Sequence, residues 1–333
     1  MTIGQVYKIH SDFYYVESNN ISHECKLREV LKKQGQKVLV GDFVEINNGH
    51  IEKVLPRKNF IKRPSVSNID SIIIVSAIKE PELDFIQLNR YISFAKFYNL
   101  ETKLCFNKND LAGDDSIIEK VFDIYEPLGY DIIFTSALER IGLEDFKELL
   151  ENKISVLCGN SGVGKTTLIN ALNPNLKLKT GQISEKTQRG THTTRHCEII
   201  KITDKIKIID TPGFSNLKFD FLLPNEIDKL FPEIYQYKNL CKYPDCLHIN
   251  EDNCAVLGNI ENINTSRYES YISFVQEAKE YKDKIKFSGI KTETHMKQNN
   301  NKDYVKINQH KRQLSRNTLK QKLNKGEDYE ELY

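Results

Sequence analysis

The chain changes its hydrophobic rhythm three times. Up to about residue 66, apolar and polar positions alternate in short runs, TIGQVYKI, FYYVESN, KVLVGDFVEIN and HIEKVLP, separated by turn-forming residues. A period of two marks half-buried strands, and strands of this length and spacing predict a five-stranded barrel such as an OB-fold over residues 1–66. From 67 to 220, continuous apolar runs take turns with helical spacing. SIIIVSAI, KLCF, DIIF and KISVLC read as buried strands, and DFIQLNRYISFAKFYN, SIIEKVFDIYEPLG and GLEDFKELLEN as helices. That alternation predicts a parallel sheet with helices on both faces. Over 221–284, turn residues and clustered cysteines precede a further helix, SRYESYISFVQEAKEYKDKIK, and 285–333 turn polar and basic before an acidic end. Such a tail is expected to be disordered or marginally helical on its own. The fold class expected is therefore multi-domain α/β.

Composition narrows the function classes. With 39% hydrophobic and 28% charged residues the chain has the make-up of a soluble globular protein, and a net charge of +2 means that any basic surface is local. Lys26, Arg28, Lys32, Lys33, Lys58, Lys62 and Arg63, in and beside the barrel region, are candidates for RNA contact; a barrel with no ligand of its own is the alternative. The longest apolar run, 71–78, is too short for a membrane span, and the start lacks the basic and apolar blocks of a signal peptide. Seven cysteines, mostly scattered, indicate a reducing compartment, and a cytoplasmic protein is expected.

The run KISVLCGNSGVGKTTLINAL carries the first chemistry: a buried strand, a glycine loop and a helix. Gly159, Gly162 and Gly164 let backbone N–H groups close around phosphate oxygens, where a Cβ would obstruct the turn. The helix starting near Lys165 aims the positive end of its dipole at the same anion. Asn160, Ser161, Val163 and Thr167 complete the expected cradle, Lys165 reaches the β and γ phosphates, and the Thr166 hydroxyl binds Mg²⁺. KIKIIDTPG at 205–213 ends a second buried strand in Asp-x-x-Gly. Asp210 is expected to hold the Mg²⁺ through water and the Gly213 N–H to sense the γ phosphate. Between them, GQISEKTQRGTHTTRHCEI is where a switch with a metal-closing threonine belongs.

Two elements that precede the loop read the base. In FNKND, Asp110 can accept bonds from guanine N1–H and N2–H₂, donors that adenine lacks there, so an adenine would leave the carboxylate unpaired. Asn107 braces the phosphate loop and the stem of Lys108 covers one face of the base. In TSAL at 135–138, Ser136 and the Ala137 N–H are suited to finish the base pocket. All five elements are present, but in the order base, base, phosphate, switch, switch. A sheet tolerates this when its old termini are joined and the chain is cut elsewhere. A circularly permuted P-loop GTPase is expected, with DTPGF leading straight into the C-terminal unit.

That unit holds LCKYPDCLHINEDNCAV. Cys241, Cys246, His248 and Cys254 make a full tetrahedral set of three thiols and one imidazole, with no open position for a catalytic water, so one structural Zn²⁺ is expected.

The combination resembles the bacterial ribosome small subunit-dependent GTPase A family (RsgA, also called YjeQ). The resemblance runs from residue 1 to about 282, on NKND, TSA, GNSGVGKTTLIN, RGTHTTRH, DTPGF and CKYPDCLH…C. It implies an OB-fold that grips ribosomal RNA (here the 16S rRNA), a late role in maturing the 30S subunit, and GTP hydrolysis to GDP stimulated by that subunit. A zinc domain that also touches the ribosome is implied, in a protein acting as a monomer. Within THTTRH, Thr194 resembles the switch threonine that reaches Mg²⁺, with Thr193 the alternative. Phe214 stands where many GTPases place a water-orienting glutamine. FSNLKFDFLLP lacks the histidine that some members carry, which leaves His192 and His196 as candidates beside a solvent-facing reading of both. The basic tail departs from the family pattern and reads either as a solvated extension or as an extra rRNA contact. A zinc-stabilised RNA-binding module, with GTP only a conformational ligand, is the alternative function.

Overall fold

The computed structural model of the chain describes residues 1–62, 64–176, 178, 197–210, 217, 219, 222–287, 296–299 and 302–305. Strands β1 (Thr2–His10), β2 (Phe13–Ser18), β3 (Ile21–Leu27), β4 (Phe43–Asn47) and β5 (His50–Val54) close in the order β1-β2-β3-β5-β4-β1. Every pairing is antiparallel except β3 with β5. Alternation along the strands sends Val6, Val16, Val44, Ile46 and Ile51 into the barrel core.

Two details of the barrel are hidden in the sequence pattern. β3 reads ISHECKL and buries only Cys25 and Leu27, so its polar positions mask the strand. The long run KVLVGDFVEIN is not one strand, because Gly41 turns the chain at φ +98° and only Phe43–Asn47 continues. A Cβ at Gly41 would stand 2.0 Å from the Ser67 carbonyl oxygen, so the close approach of these two backbones requires glycine. A short helix, α1 (Glu29–Lys33), lies between β3 and β4.

After a two-stranded ribbon, β6 (Phe60–Ile61) and β7 (Val66–Ser67), the expected alternation follows. It comprises β8 (Ser71–Ala77), α2 (Phe85–Phe97), β9 (Glu101–Asn107), α3 (Ser116–Tyr125), β10 (Asp131–Phe134), α4 (Leu143–Leu150) and β11 (Lys153–Cys158). The series ends with α5 (Lys165–Leu172), β12 (Glu198–Lys201) and β13 (Ile206–Asp210). The sheet order is β10-β9-β8-β11-β13-β12. Five strands run parallel as expected. β12 is antiparallel to β13, because residues 202–205 are too few for a parallel crossover and suffice only for a hairpin.

Successive β8 residues face opposite ways. Ile72 and Ile74 join Leu88 and Ile92 of α2 and Val121 and Ile124 of α3 in one core. Ile73 and Val75 join Leu143 and Phe146 of α4 and Leu168 and Ile169 of α5 in the other. β1 also pairs with β12, Lys8 opposite Glu198, so the barrel and the central sheet form one eleven-stranded surface.

Beyond the sheet, a 3-10 turn (Pro224–Leu230), α6 (Pro232–Tyr235) and α7 (Thr265–Phe287) enclose a third core. Buried Arg267, Ser270, Tyr271, Phe274, Val275 and Ala278 form one stripe of α7 at helical spacing. Within the tail that was expected to be disordered or marginally helical, β14 (Met296–Asn299) and β15 (Lys302–Val305) pair antiparallel. The remainder of 285–333 past α7 lies outside the described residues.

The junction between barrel and sheet is polar and buried. Fully buried Asp42 accepts from Arg57 Nε (2.7 Å) and Nη2 (3.0 Å), Ser67 Oγ (2.6 Å) and the Leu39 N–H (2.7 Å). Truncating one partner of such a network strands the others without water. Asp42→Ala is expected to lower stability by about 3 kcal/mol, measured by urea unfolding followed by circular dichroism.

Candidate active site and metal centre

The carboxyl ends of parallel strands point to one edge of the sheet, the edge at which open α/β folds bind ligands. Asn107 ends β9, the Thr135–Ala137 segment follows β10, Gly159 follows β11, and Asp210 ends β13. Two glycines of the 159–164 loop are sterically required. Gly159 has φ +147° and a Cβ would stand 2.0 Å from the Val75 carbonyl oxygen; at Gly164, φ +94°, it would stand 2.2 Å from Asn107 Nδ2. α5 begins at once, and no side chain caps its first turn, so the N–H groups of that turn are left for an anion. Lys165 Nζ donates to the Gly159 and Asn160 carbonyl oxygens at 2.7 and 2.8 Å, folded over the loop. Thr166 is nearly buried, whereas Ser161, Gly162 and Thr167 are exposed.

Asn107 joins the end of β9 to this loop. Its Nδ2 donates to the Val163 carbonyl oxygen at 2.9 Å. Its Oδ1 accepts from Thr135 Oγ1 and from the Ala137 N–H, both at 3.2 Å. Lys108 adopts a left-handed conformation (φ 61°) and its ammonium donates to the Glu80 carbonyl oxygen. Asp110 is exposed, in a 3-10 turn over Asn109–Leu111. Ser136 is fully buried and its Oγ accepts the Glu139 N–H at 3.0 Å. Of the pair assigned to the base pocket, Ser136 and the Ala137 N–H thus both have partners within the protein. Thr193, Thr194, Gly213, Phe214, His192 and His196 lie outside the described residues.

The second cluster forms as the spacing suggested. One donor atom each of Cys241, Cys246, His248 and Cys254 lies within 4.8 Å of all the others. His248 Nδ1 stands 3.5 Å from both Cys241 Sγ and Cys254 Sγ, and those sulfurs are 4.0 Å apart. Burial pushes the Cys246 thiol up to about 12. A cation would reverse that, since thiolates are the ligating form. The donor set is consistent with a metal site.

Sequence reasoning missed the residues that shape this cluster. Glu251 accepts from the Leu247, Ile249 and Asn250 N–H groups at 2.9, 2.9 and 3.1 Å, folding the loop around one carboxylate. Burial works against its charge, but those N–H groups prevail and hold its carboxyl below the usual range. Tyr268 and Tyr271 of α7 donate to the His248 and Leu247 carbonyl oxygens at 2.7 and 2.8 Å. Buried Asp228 stands 3.7 Å from His248 Nε2, the ring nitrogen turned away from the thiols. Carboxylates and tyrosines at these separations carry no local spacing signal, although two tyrosines three apart on a helix behind a cysteine loop were a readable hint.

The comparisons with known proteins agree with this geometry. The sequence model described as RsgA GTPase matches residues 54–220, and that described as RsgA N-terminal domain matches 3–53. The chain belongs to the RsgA GTPase family. Its members are GTP-hydrolysing enzymes, and Mg²⁺ accompanies the nucleotide in such enzymes. A relative from Alkaliphilus metalliredigens, named small ribosomal subunit biogenesis GTPase RsgA, is 38% identical over 84% of this chain and 98% of its own. One of the same name from Clostridium acetobutylicum is 40% identical over 81% of this chain and 95% of its own. The crystal structure of YjeQ from Thermotoga maritima superposes with a TM-score of 0.73 at 36% identity, covering 83% of this chain and 98% of that one. YloQ, described as a circularly permuted GTPase, gives 0.69 at 30% identity over 84% and 96%. The permutation expected from the order of motifs is thereby borne out.

Asn107→Ala would leave the Val163 carbonyl and the Ala137 N–H without their partner. At about 1–3 kcal/mol for such orphaned groups, guanine-nucleotide affinity is expected to fall at least about tenfold with little change in helix content. Titration with fluorescent GDP checks the first and circular dichroism the second.

Proposed function

We propose that this chain binds guanine nucleotide at the edge formed by β9, β10, β11 and β13, hydrolyses GTP to GDP and phosphate, and serves as a late-stage assembly factor of the 30S ribosomal subunit. The observation that carries the reading is the Asn107 side chain, which ties the NKND segment to the phosphate loop in one hydrogen-bonded unit. The relatives' names, small ribosomal subunit biogenesis GTPase, support the partner.

Each residue then has a task. Asp110 pairs with the guanine edge and the Lys108 stem covers its face, while Ser136 and Ala137 shape the pocket from behind. Backbone N–H groups of 159–165 surround the phosphates. Lys165 exchanges two carbonyl partners for phosphate oxygens, a charge-assisted bond that is stronger than the ones it leaves. Mg²⁺, when bound with the nucleotide, neutralises phosphate charge, and Thr166, Asp210 and Thr194 are the residues to hold it. Gly213 is placed in sequence to sense the γ phosphate. Phe214 cannot orient water, so intrinsic turnover is slow and the subunit supplies what is lacking.

The metal of the C-terminal cluster is proposed to be zinc, bound for structure. A tetrahedral thiolate set with bonds of about 2.3 Å has sulfur–sulfur edges of roughly 3.8 Å, close to the 4.0 Å between Cys241 and Cys254. The barrel is the proposed 16S rRNA contact. Of its cations, Arg28 pairs with Glu52 at 3.1 Å, Lys32 with Glu29 at 3.5 Å and Lys58 with Asp70 at 3.0 Å. Such surface pairs are weak and exchange readily for phosphate. Arg63 lies outside the described residues. Among the described residues no helix is long and apolar enough to cross a membrane. A monomer acting in the cytoplasm completes the proposal.

Phosphate release from GTP, measured with and without purified subunits, tests the function. Stimulation of at least about a hundredfold by 30S and none by 50S is expected, with Lys165→Ala as the blank. Tight GTP binding without stimulation would instead favour an RNA-binding module that uses nucleotide as a conformational ligand. For the metal, one zinc per chain is expected by elemental analysis. Its removal by a strong chelator should unfold the 222–287 unit with loss of helical ellipticity; retention of that signal in metal-free protein would exclude a structural metal.

A further inference from the structure

Three consecutive residues of α2 leave the helix in different directions, as steps of about 100° per residue require. Tyr91, 1% exposed, donates its hydroxyl to Asn160 Oδ1 at 2.9 Å. Asn160 belongs to the phosphate loop, and its own carbonyl oxygen is one of the two that accept from Lys165. Asn89, fully buried, donates to Ser270 Oγ at 2.8 Å and accepts from Tyr125 Oη at 2.9 Å and Arg267 Nη1 at 3.0 Å. Arg90 Nη1 donates to Glu277 Oε2 at 2.6 Å and to the Leu217 carbonyl oxygen at 3.3 Å, and its guanidinium lies 4.5 Å from the Phe274 ring centre. Glu277 Oε1 in turn accepts the Phe219 N–H at 2.9 Å. One helix therefore grips the phosphate loop with one side chain and α7 with two others.

These contacts resist gradual sliding. Buried donors and acceptors that lose their partners cost about 1–3 kcal/mol each, so α7 and α2 move together or change partners in a step. Burial pushes the Tyr91 phenol upward, so it stays a donor at any working pH. When Lys165 leaves the Asn160 carbonyl for a phosphate, the Tyr91 hydroxyl still holds that residue through its side chain. We propose that Tyr91 is a positioning residue for the phosphate loop, and that through it the seating of α7 on α2 sets the affinity of the loop for nucleotide. This rests on reading 159–166 as the phosphate site. It provides a connection between nucleotide and metal-bearing unit separate from the covalent one through Asp210–Phe214.

The test is a double-mutant cycle with the full chain: wild type, Tyr91→Phe, Glu277→Gln and both together. Affinity for fluorescent GDP and for a non-hydrolysable GTP analogue is the readout, and melting followed by circular dichroism reports folding. Tyr91→Phe is expected to weaken binding at least about threefold, and so is Glu277→Gln, which does not touch the loop. In the Tyr91→Phe background the effect of Glu277→Gln should fall below about 1.5-fold. Asn160→Ala should reproduce Tyr91→Phe. Additive effects, or lowered melting with unchanged affinities, would overturn the proposal and leave Tyr91 a packing residue. If Glu277→Gln fails to fold, Arg90→Lys, which keeps the charge but loses the guanidinium fork, replaces it in the same cycle. Wild-type protein that binds neither nucleotide would refute the phosphate-site reading itself, a result distinct from additivity.

Discussion

The structure turns on one carboxamide. Asn107 closes the space between the end of β9, the segment after β10 and the 159–164 loop, and it does so from inside the protein, where water cannot replace it. Its nitrogen lies 2.2 Å from the point where a Cβ at residue 164 would stand, so asparagine at one position and glycine at the other are a single steric choice. The 159–164 loop, the start of α5 and the segment after β10 are then fixed relative to one another before any ligand arrives. Preorganisation of this kind spares binding energy that would otherwise be lost in ordering loops. It also explains how a permuted chain keeps the site. The elements may come in any order along the chain, provided that their strand ends meet at one sheet edge.

Permutation changes what lies downstream. The strand that ends in Asp210 is followed in sequence by the C-terminal unit, whose core centres on α7 and the cysteine loop. That loop is held by Glu251, Tyr268 and Tyr271, so α7 and the cysteine cluster form one body. The same helix rests on α2 through Asn89 and Arg90. The fold thereby sets the 159–164 loop and the unit that carries the cysteine cluster against different side chains of one shared helix.

What the sequence made legible was local. Glycine spacing, the Asn-Lys-x-Asp run and the cysteine intervals each sit within a few residues, and the structure brings the three cysteines and His248 together and ties Asn107 to the 159–164 loop. β3 stayed hidden because four of its seven residues are polar or charged, and the antiparallel course of β12 because direction in a sheet depends on the length of the next turn rather than on the strand's own residues. Asp42, Tyr91 and Asp228 were invisible for another reason. Their partners Arg57, Asn160 and His248 lie 15, 69 and 20 positions away in the chain, and no periodicity reports such meetings. One sign was available for α2. Leu88, Tyr91, Ile92, Phe94 and Ala95 make an apolar surface wider than one stripe, which marks a helix enclosed on two sides.

The pairing of β1 with β12 has a consequence of its own. Lys8 and Glu198 sit opposite each other in the ladder and their side chains form a 3.1 Å ion pair, while Tyr7 and Ile9 of the barrel pack into the core that holds Ile199. The barrel is not a bead on a string but a bracket joined edge to edge with the central sheet. The angle between the barrel and the edge of the central sheet where the parallel strands end is therefore set by the twist of one continuous sheet and not by a linker.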